Sequence, residues 1–389
     1  MSISKSWVAQ HIAALPKSGI RAIYDIMNTM DDVVSLCVGE PDFETPDPIR
    51  QATVQAIDKG ITHYTANLGY LELRQEICKY VKDRFQSEYD PVGECIVTIG
   101  VSEALTILMQ ALLNPGDEVL FHQPGFVAYS PTIRMMHGVP VAVQTYEKDN
   151  FVLQVEELEK NVTPKTRALL INYPNNPTGA GLSWEDKQKI ADFVIRHDLF
   201  LISDEIYEEL SYVPRSPSIT SIPGMKERSV LVNGFSKSFA MTGYRMGFAC
   251  GPHELIDAMM KVHQYSIVCN SSFCQKAALT ALRSCGSYRD EMRAEYQKRR
   301  DLIVSGLNGL GLHCFMPSGA FYVFPCIQST GLDSMTFAMR LLKEKKVAVV
   351  PGTAFGPCGE GFVRCSYATS MEGIRKALER MKEFLDSLK

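Results

Sequence analysis

No apolar run in this 389-residue sequence approaches the length needed to span a bilayer. Neither sign of charge dominates: 40 Lys and Arg stand against 44 Asp and Glu, a formal net charge of −4. Nothing in that balance favours nucleic acid or an anionic membrane surface as the main partner. The eleven cysteines are odd in number and contain no Cys-x-x-Cys pair. Cys37, Cys78 and Cys95 sit in apolar or mixed segments, so reduced structural thiols in a reducing cytoplasm are expected, without a disulfide framework or a zinc site. Internal repeats and low-complexity tracts are missing, which excludes solenoids and long disordered linkers. The stretch Met1–Gly19 mixes Lys5, Gln10, His11 and Lys17 into its apolar residues, so no signal-peptide core is expected and the protein is assigned to the cytosol.

What is present is a chain long enough for two lobes, 46% hydrophobic and 22% charged, ordinary values for a protein with a sizeable core. Short apolar runs alternate with helix-period segments between about Val92 and Cys250. The runs are Cys95–Ile99, Glu118–Phe121, Pro140–Val143, Ala168–Asn172, Phe200–Ser203, Ser229–Val232 and Met246–Cys250. Strands so apolar are buried on both faces, and the intervening helices imply crossovers. An α/β fold with a mostly parallel seven-stranded sheet follows. After about Gly286 the texture changes to a charged helix over Tyr288–Leu310, strands at Ala320–Phe324, Val347–Val350 and Phe362–Ser366, and a last helix from Glu372. These predict a large domain over 46–286 and a smaller α+β domain built from 1–45 and 287–389.

Four segments place chemistry-bearing residues where strands end. Ser229–Gly247 (SVLVNGFSKSFAMTGYRMG) runs from a buried strand through Asn233-Gly234 to Ser236-Lys237-Ser238, with Arg245 eight residues beyond the lysine. Ala168–Gly179 (ALLINYPNNPTG) ends a strand in asparagines and prolines. Those residues form turns, but the C-terminal edge of an open α/β sheet is also where ligands bind. In Phe200–Glu209 (FLISDEIYEE), Asp204 closes an apolar strand and Tyr207 follows. A carboxylate there is either a helix cap or the partner of a buried cation. Val97–Leu105 (VTIGVSEAL) reads as strand, glycine and a helix opening near Ser102, whose free amides suit a phosphate.

Taken in order, GEPDF (Gly39–Phe43), HYTANLGYLELR (His63–Arg74), that phosphate turn, NYPNNPTG, SDEIY, GFSKSFAMTGYR and FVRCSYA (Phe362–Ala368) resemble the class I/II aminotransferases, pyridoxal 5′-phosphate (PLP) enzymes of fold type I. The resemblance runs from about Val8 to the C-terminus. It is nearest the bacterial subgroup that includes aspartate, aromatic and N-acetyl-LL-diaminopimelate aminotransferases. It implies that Lys237 holds the cofactor as a Schiff base and shuttles protons, that Asp204 partners the ring nitrogen, and that Tyr207 and Asn176 serve the ring hydroxyl. Ser236, Arg245 and the amides of Val101 and Ser102 match the phosphate seat, Phe126 the ring that stacks on the cofactor, and Tyr64 a phosphate contact from the neighbouring subunit of a homodimer with shared active sites. Arg364, with Gly39 and Asn176, matches the substrate site, where Arg364 grips the α-carboxylate.

The implied reaction moves the amino group of an L-amino acid to a 2-oxo acid such as 2-oxoglutarate. The aspartate-specific members carry a lysine where Ser102 stands, and Lys261–Leu279 is similar to members acting on aromatic or N-acetyl-LL-diaminopimelate substrates. With Tyr322, Phe126 and Ile20 as pocket candidates, the reading leans to aromatic or other large amino acids. The alternatives are N-acetyl-LL-diaminopimelate transamination in lysine biosynthesis and a C–S β-lyase. A DNA-binding regulator with an aminotransferase-like sensor domain is disfavoured, because only about forty residues precede the first βα unit and no basic patch is seen. No metal site is expected around His63. Arg299-Arg300 reads as a solvated helix face, and Met27, Met30, Met135 and Met136 as packing residues.

Overall fold

The apolar runs form the sheet they predict. In a computed structural model that describes residues 7–15, 23, 26, 27 and 29–388, seven strands line up as β2 (Cys95–Ile99), β8 (Met246–Cys250), β7 (Ser229–Gly234), β6 (Phe200–Asp204), β5 (Thr166–Asn172), β3 (Glu118–Gln123) and β4 (Val139–Gln144). Every neighbouring pair is parallel except those made by β8, which runs against both β2 and β7. Alternate residues go to opposite faces. Leu169, Ile171 and Leu201 join one core cluster, while Ala168, Leu170, Ile202, Val230 and Val232 join another. Burying each such side chain contributes roughly 1.5–3 kcal/mol. Pro140, which cannot donate to a ladder, lies in β4 at the sheet edge.

The remaining strands are short. β1 (Val34–Ser35) pairs in parallel with β10 (Val347–Ala348), so the N-terminal segment is stitched to a strand more than 300 residues later. β11 (Val350–Pro351), β12 (Val363–Ser366) and β9 (Tyr322–Val323) form an antiparallel sheet. The single run Val347–Val350 expected from sequence is thus broken at Val349. Its first half pairs with β1 and its second with β12, a division that apolar content cannot reveal.

One expectation is overturned. Arg299 and Arg300, on the helix Gly286–Gly309, do not form a solvated face: each is only 8% exposed. Arg299 Nη1 donates to both carboxylate oxygens of Asp42 at 2.8 Å, and Arg300 Nη1 donates to the Pro317 carbonyl at 3.0 Å while its guanidinium covers the Tyr212 ring. The polar stripe of this helix faces the N-terminal segment and the 317 loop, both of which bring acceptors. On the same helix, Arg289 joins Arg84, Arg215 and Tyr80 around the buried Glu209. Burial pushes that carboxyl up, but the hydrogen bonds from Arg84 and Arg215 prevail and hold it at about 2.

Candidate active site

Strands β5, β6 and β7 end side by side, and Asn172, Asp204 and, just past β7, Ser236 line a cavity of about 440 Å³. At its floor Asp204, the last residue of β6, is 3% exposed. One carboxylate oxygen accepts from the Tyr129 hydroxyl at 2.8 Å and the other from the Ile206 amide at 3.2 Å. Burial raises its pKa to about 6, opposed by the Tyr129 hydrogen bond. Among the described residues no cation forms an ion pair with it, so the buried carboxylate is open to a positively charged ligand.

Lys237 lies one turn beyond β7, on the short helix Phe235–Ser238. Its half-buried amine donates to the Gly39 carbonyl at 2.6 Å. Loss of water lowers its pKa to about 8, with Arg245 and Arg364 adding repulsion and Glu40 opposing them. An amine so tuned is available as a nucleophile and base near neutral pH.

The helix Gly100–Leu112 opens directly from β2, two residues earlier than Ser102. The first-turn amides of a helix have no intrahelical partner, which leaves those of Val101 and Ser102 for an anion. Close approach here requires glycine. A Cβ on Gly100, whose φ is +69°, would lie 2.8 Å from an Arg245 guanidinium nitrogen, and one on Gly247 would lie 2.5 Å from the Gly100 carbonyl carbon. Arg245 is thereby held over the helix start, and Ser236 and Thr242 line the same wall.

Across the cavity, Arg364 on β12 is 3% exposed. One terminal nitrogen donates to Asn176 Oδ1 at 3.0 Å and the other to the Cys37 carbonyl at 2.6 Å, while the buried Nε has no partner among the described residues. Its guanidinium plane covers the Tyr322 ring, 4.5 Å from the centroid. With Oδ1 taken by Arg364, the side-chain amide nitrogen of Asn176 is the end left to serve the cavity. The Tyr207 hydroxyl is 2.9 Å from that of Tyr322. Phe126 lines the cavity and meets Tyr129 edge-on at 5.5 Å.

The structure therefore gathers Gly39, Val101, Ser102, Phe126, Asn176, Asp204, Tyr207, Ser236, Lys237, Arg245 and Arg364 around one cavity. Tyr64 is elsewhere: it is 84% exposed, beside a separate surface hollow with Cys269 and Asn270. Ile20 lies outside the described residues. Sequence reasoning missed Tyr129, which sits in the same QPGFVAY segment as Phe126 and reaches Asp204. It also missed Asn172, whose side chain donates to the Asp204 carbonyl and accepts from the Asn176 amide. Tyr322 was expected only as an apolar wall, yet it bonds to Tyr207 and carries Arg364.

These residues suit a phosphorylated aromatic aldehyde with a basic ring nitrogen: an amine for the aldehyde, a carboxylate without a cation for the ring, and a glycine-lined helix start for the phosphate. Comparison with known proteins agrees. Residues 31–381 match the family described as aminotransferase class I and II. An aspartate aminotransferase of Pyrococcus abyssi is 48% identical over 95% of both chains, and aromatic-amino-acid aminotransferase 2 of Thermococcus litoralis is 45% identical over 96% of both. The crystal structure of an aromatic aminotransferase from Pyrococcus horikoshii, 48% identical, superposes with a TM-score of 0.90 over 94% of this chain and 99% of its own. Sheet order, cavity and relatives converge: the chain belongs to the class I and II aminotransferases, PLP-dependent enzymes of fold type I that move amino groups between amino acids and oxo acids.

Proposed function

We propose that the protein transfers the amino group of an aromatic or other large uncharged L-amino acid to a 2-oxo acid such as 2-oxoglutarate. The observation that carries this reading is a buried Arg364 with an unpartnered Nε and a low-pKa Lys237 in one cavity that also presents apolar side chains. Val38, Leu105, Phe126 and Tyr322 line it, and Ser102 stands where a dedicated aspartate enzyme would offer a cation.

When bound, PLP supplies an aldehyde that joins amines and a ring that takes up electrons. Lys237 is the amine that holds the cofactor. With its amine freed by substrate, Lys237 would be the base placed to move a proton at the substrate α-carbon. Asp204 would keep the ring nitrogen protonated through a charge-assisted pair in a dry site. Asn176 and Tyr207 would hold the ring hydroxyl, Phe126 would pack on the ring, and Ser236, Arg245 and the Val101 and Ser102 amides would hold the phosphate. Arg364, with Gly39 and Asn176 beside it, orients the substrate carboxylate so that the α-proton meets the lysine. Such positioned acid–base work is worth ~10²–10⁴-fold.

The same reading divides the chain into a large domain, 46–286, and a small one, 1–45 with 287–389; the β1–β10 pairing supports it. It also makes the protein a homodimer in which the exposed Tyr64 serves the neighbouring subunit's phosphate. The eleven free thiols suit the cytoplasm. A half-reaction screen tests the proposal: the PLP form is mixed with each amino acid and the cofactor spectrum followed. Phenylalanine or tyrosine should convert the cofactor at least tenfold faster than aspartate. Faster conversion by aspartate overturns the substrate assignment, and conversion by none overturns the residue roles.

A further inference from the structure

Spacing in the chain predicts no metal site, yet the fold assembles a triangle of sulfur. Cys78, Cys95 and Cys250 are all buried, and their three Sγ atoms lie within 4.8 Å of one another. Cys95 and Cys250 are register partners across the antiparallel strands β2 and β8, so their side chains leave the same face of the sheet. Cys78 comes from the helix Leu71–Phe85, which packs on that face in the same core cluster. Metal–thiolate bonds of about 2.3 Å place the sulfurs of one ion ~4 Å apart, a spacing this triangle already approaches.

Burial holds the Cys95 and Cys250 thiols well above their ordinary pKa, so the ion itself would have to displace their protons. Arg74 is 7% exposed, and its guanidinium donates only to main-chain carbonyls, of Gly69 at 3.2 Å, Val92 at 3.1 Å and Pro91. Among the described residues it forms no ion pair with a carboxylate, so its charge is left to act on the neighbouring sulfur. Soft thiolate donors select d¹⁰ and other thiophilic ions over hard cations.

We propose that Cys78, Cys95 and Cys250 bind one soft, thiophilic cation of the Cu(I), Zn(II) or Cd(II) class. Binding exchanges thiol protons for the ion and moves no electrons. The site is separate from the cavity. Cys95 and Cys250 begin β2 and end β8, whereas the phosphate seat lies at the opposite ends, beyond the Ile99–Met246 pair, four residues or ~13 Å away. An occupied triangle would tie these two strands and the helix Leu71–Phe85 together without obstructing PLP.

The test uses the reduced, metal-free holoenzyme titrated with Cd(II) under anaerobic conditions. The expected result is a sulfur-to-cadmium charge-transfer band that saturates at one equivalent per chain, with three sulfur neighbours by X-ray absorption. Cys250→Ser and Cys78→Ser should weaken binding at least a hundredfold, Cys314→Ser should not, and all should transaminate like the wild type. If the serine variants fail to fold, the coordination measured on the wild type still decides. Fewer than three sulfur neighbours, or unchanged stoichiometry in Cys250→Ser, overturns the proposal. So does a native Cys95–Cys250 disulfide, seen as nine titratable thiols under denaturant in place of eleven.

Discussion

Arg289 and Arg364 are both buried arginines placed by the C-terminal part of the chain, and they have opposite surroundings. Arg289 belongs to a knot of charges: its guanidinium meets the carboxylates of Glu209 and Asp290, and Glu209 also receives Arg84, Arg215 and Tyr80. Arg364 stands on a carbonyl, an asparagine oxygen and two aromatic faces, with no carboxylate in an ion pair among the described residues and with one N–H unused. Burial does not separate the two. Completeness of the guanidinium's own partners does: every nitrogen of Arg289 meets a carboxylate, whereas Arg364 keeps one nitrogen for a ligand. Asp204 and Lys237 fall on the Arg364 side of that line.

Substitutions on the two sides should therefore fail in different ways. The largest loss is expected at Lys237: Lys237→Ala should keep a native circular dichroism spectrum while transamination falls by at least ~10³-fold. Arg364→Ala should come next, losing about 3 kcal/mol of carboxylate binding, ~10²-fold in kcat/KM. Arg364→Lys should recover little, because a point charge lacks the planar fork. Tyr129→Phe should cost ~10-fold, the worth of a hydrogen bond to a charged group. Without that donor the Asp204 pKa moves up from about 6, so less carboxylate is ionised at a given pH, and the deficit should be larger at mildly acid pH than at alkaline pH. The rate of cofactor capture by the apo form should rise ~10-fold per pH unit and level off above about 8, because only the neutral amine of Lys237 attacks an aldehyde. A flat profile would remove Lys237 from the open set. The smallest effect on turnover belongs to Arg289→Leu. It should lower unfolding stability by about 1–3 kcal/mol in a denaturant titration and change turnover less than twofold. If Arg289→Leu instead crippled turnover while leaving stability alone, completeness would not be the property that divides these residues.

The large sheet was legible because its strands, apart from the half-exposed edge strand β4, are buried on both faces. Runs such as Ala168–Asn172 and Ser229–Val232 need no partner to be recognised, and turn residues mark where each stops. The reacting groups at those ends, Asp204 and Lys237, were legible for the same reason. The bonds between elements were not. Tyr129 meets Asp204 across 75 positions and Tyr207 meets Tyr322 across 115, and no local period encodes such a meeting. Arg299 and Arg300 mark the same limit: helical periodicity defines a polar face but not what will be laid against it. Asp42 was laid there. The sulfur triangle joins two strands and a helix whose cysteines share no spacing rule.

Residues 36 to 39 have a lasting consequence for how this site can change. Leu36 exchanges main-chain bonds with Ala348 and Ser366, Cys37 offers its carbonyl to Arg364, and Gly39 offers its own to Lys237. Two of the three cations in the cavity thus rest on peptide oxygens of this ribbon, which every amino acid carries alike. Drift of side chains along this ribbon leaves both resting contacts untouched, and a single inserted or deleted residue would dislodge both at once. Selection acting here would see changes of length before changes of letter.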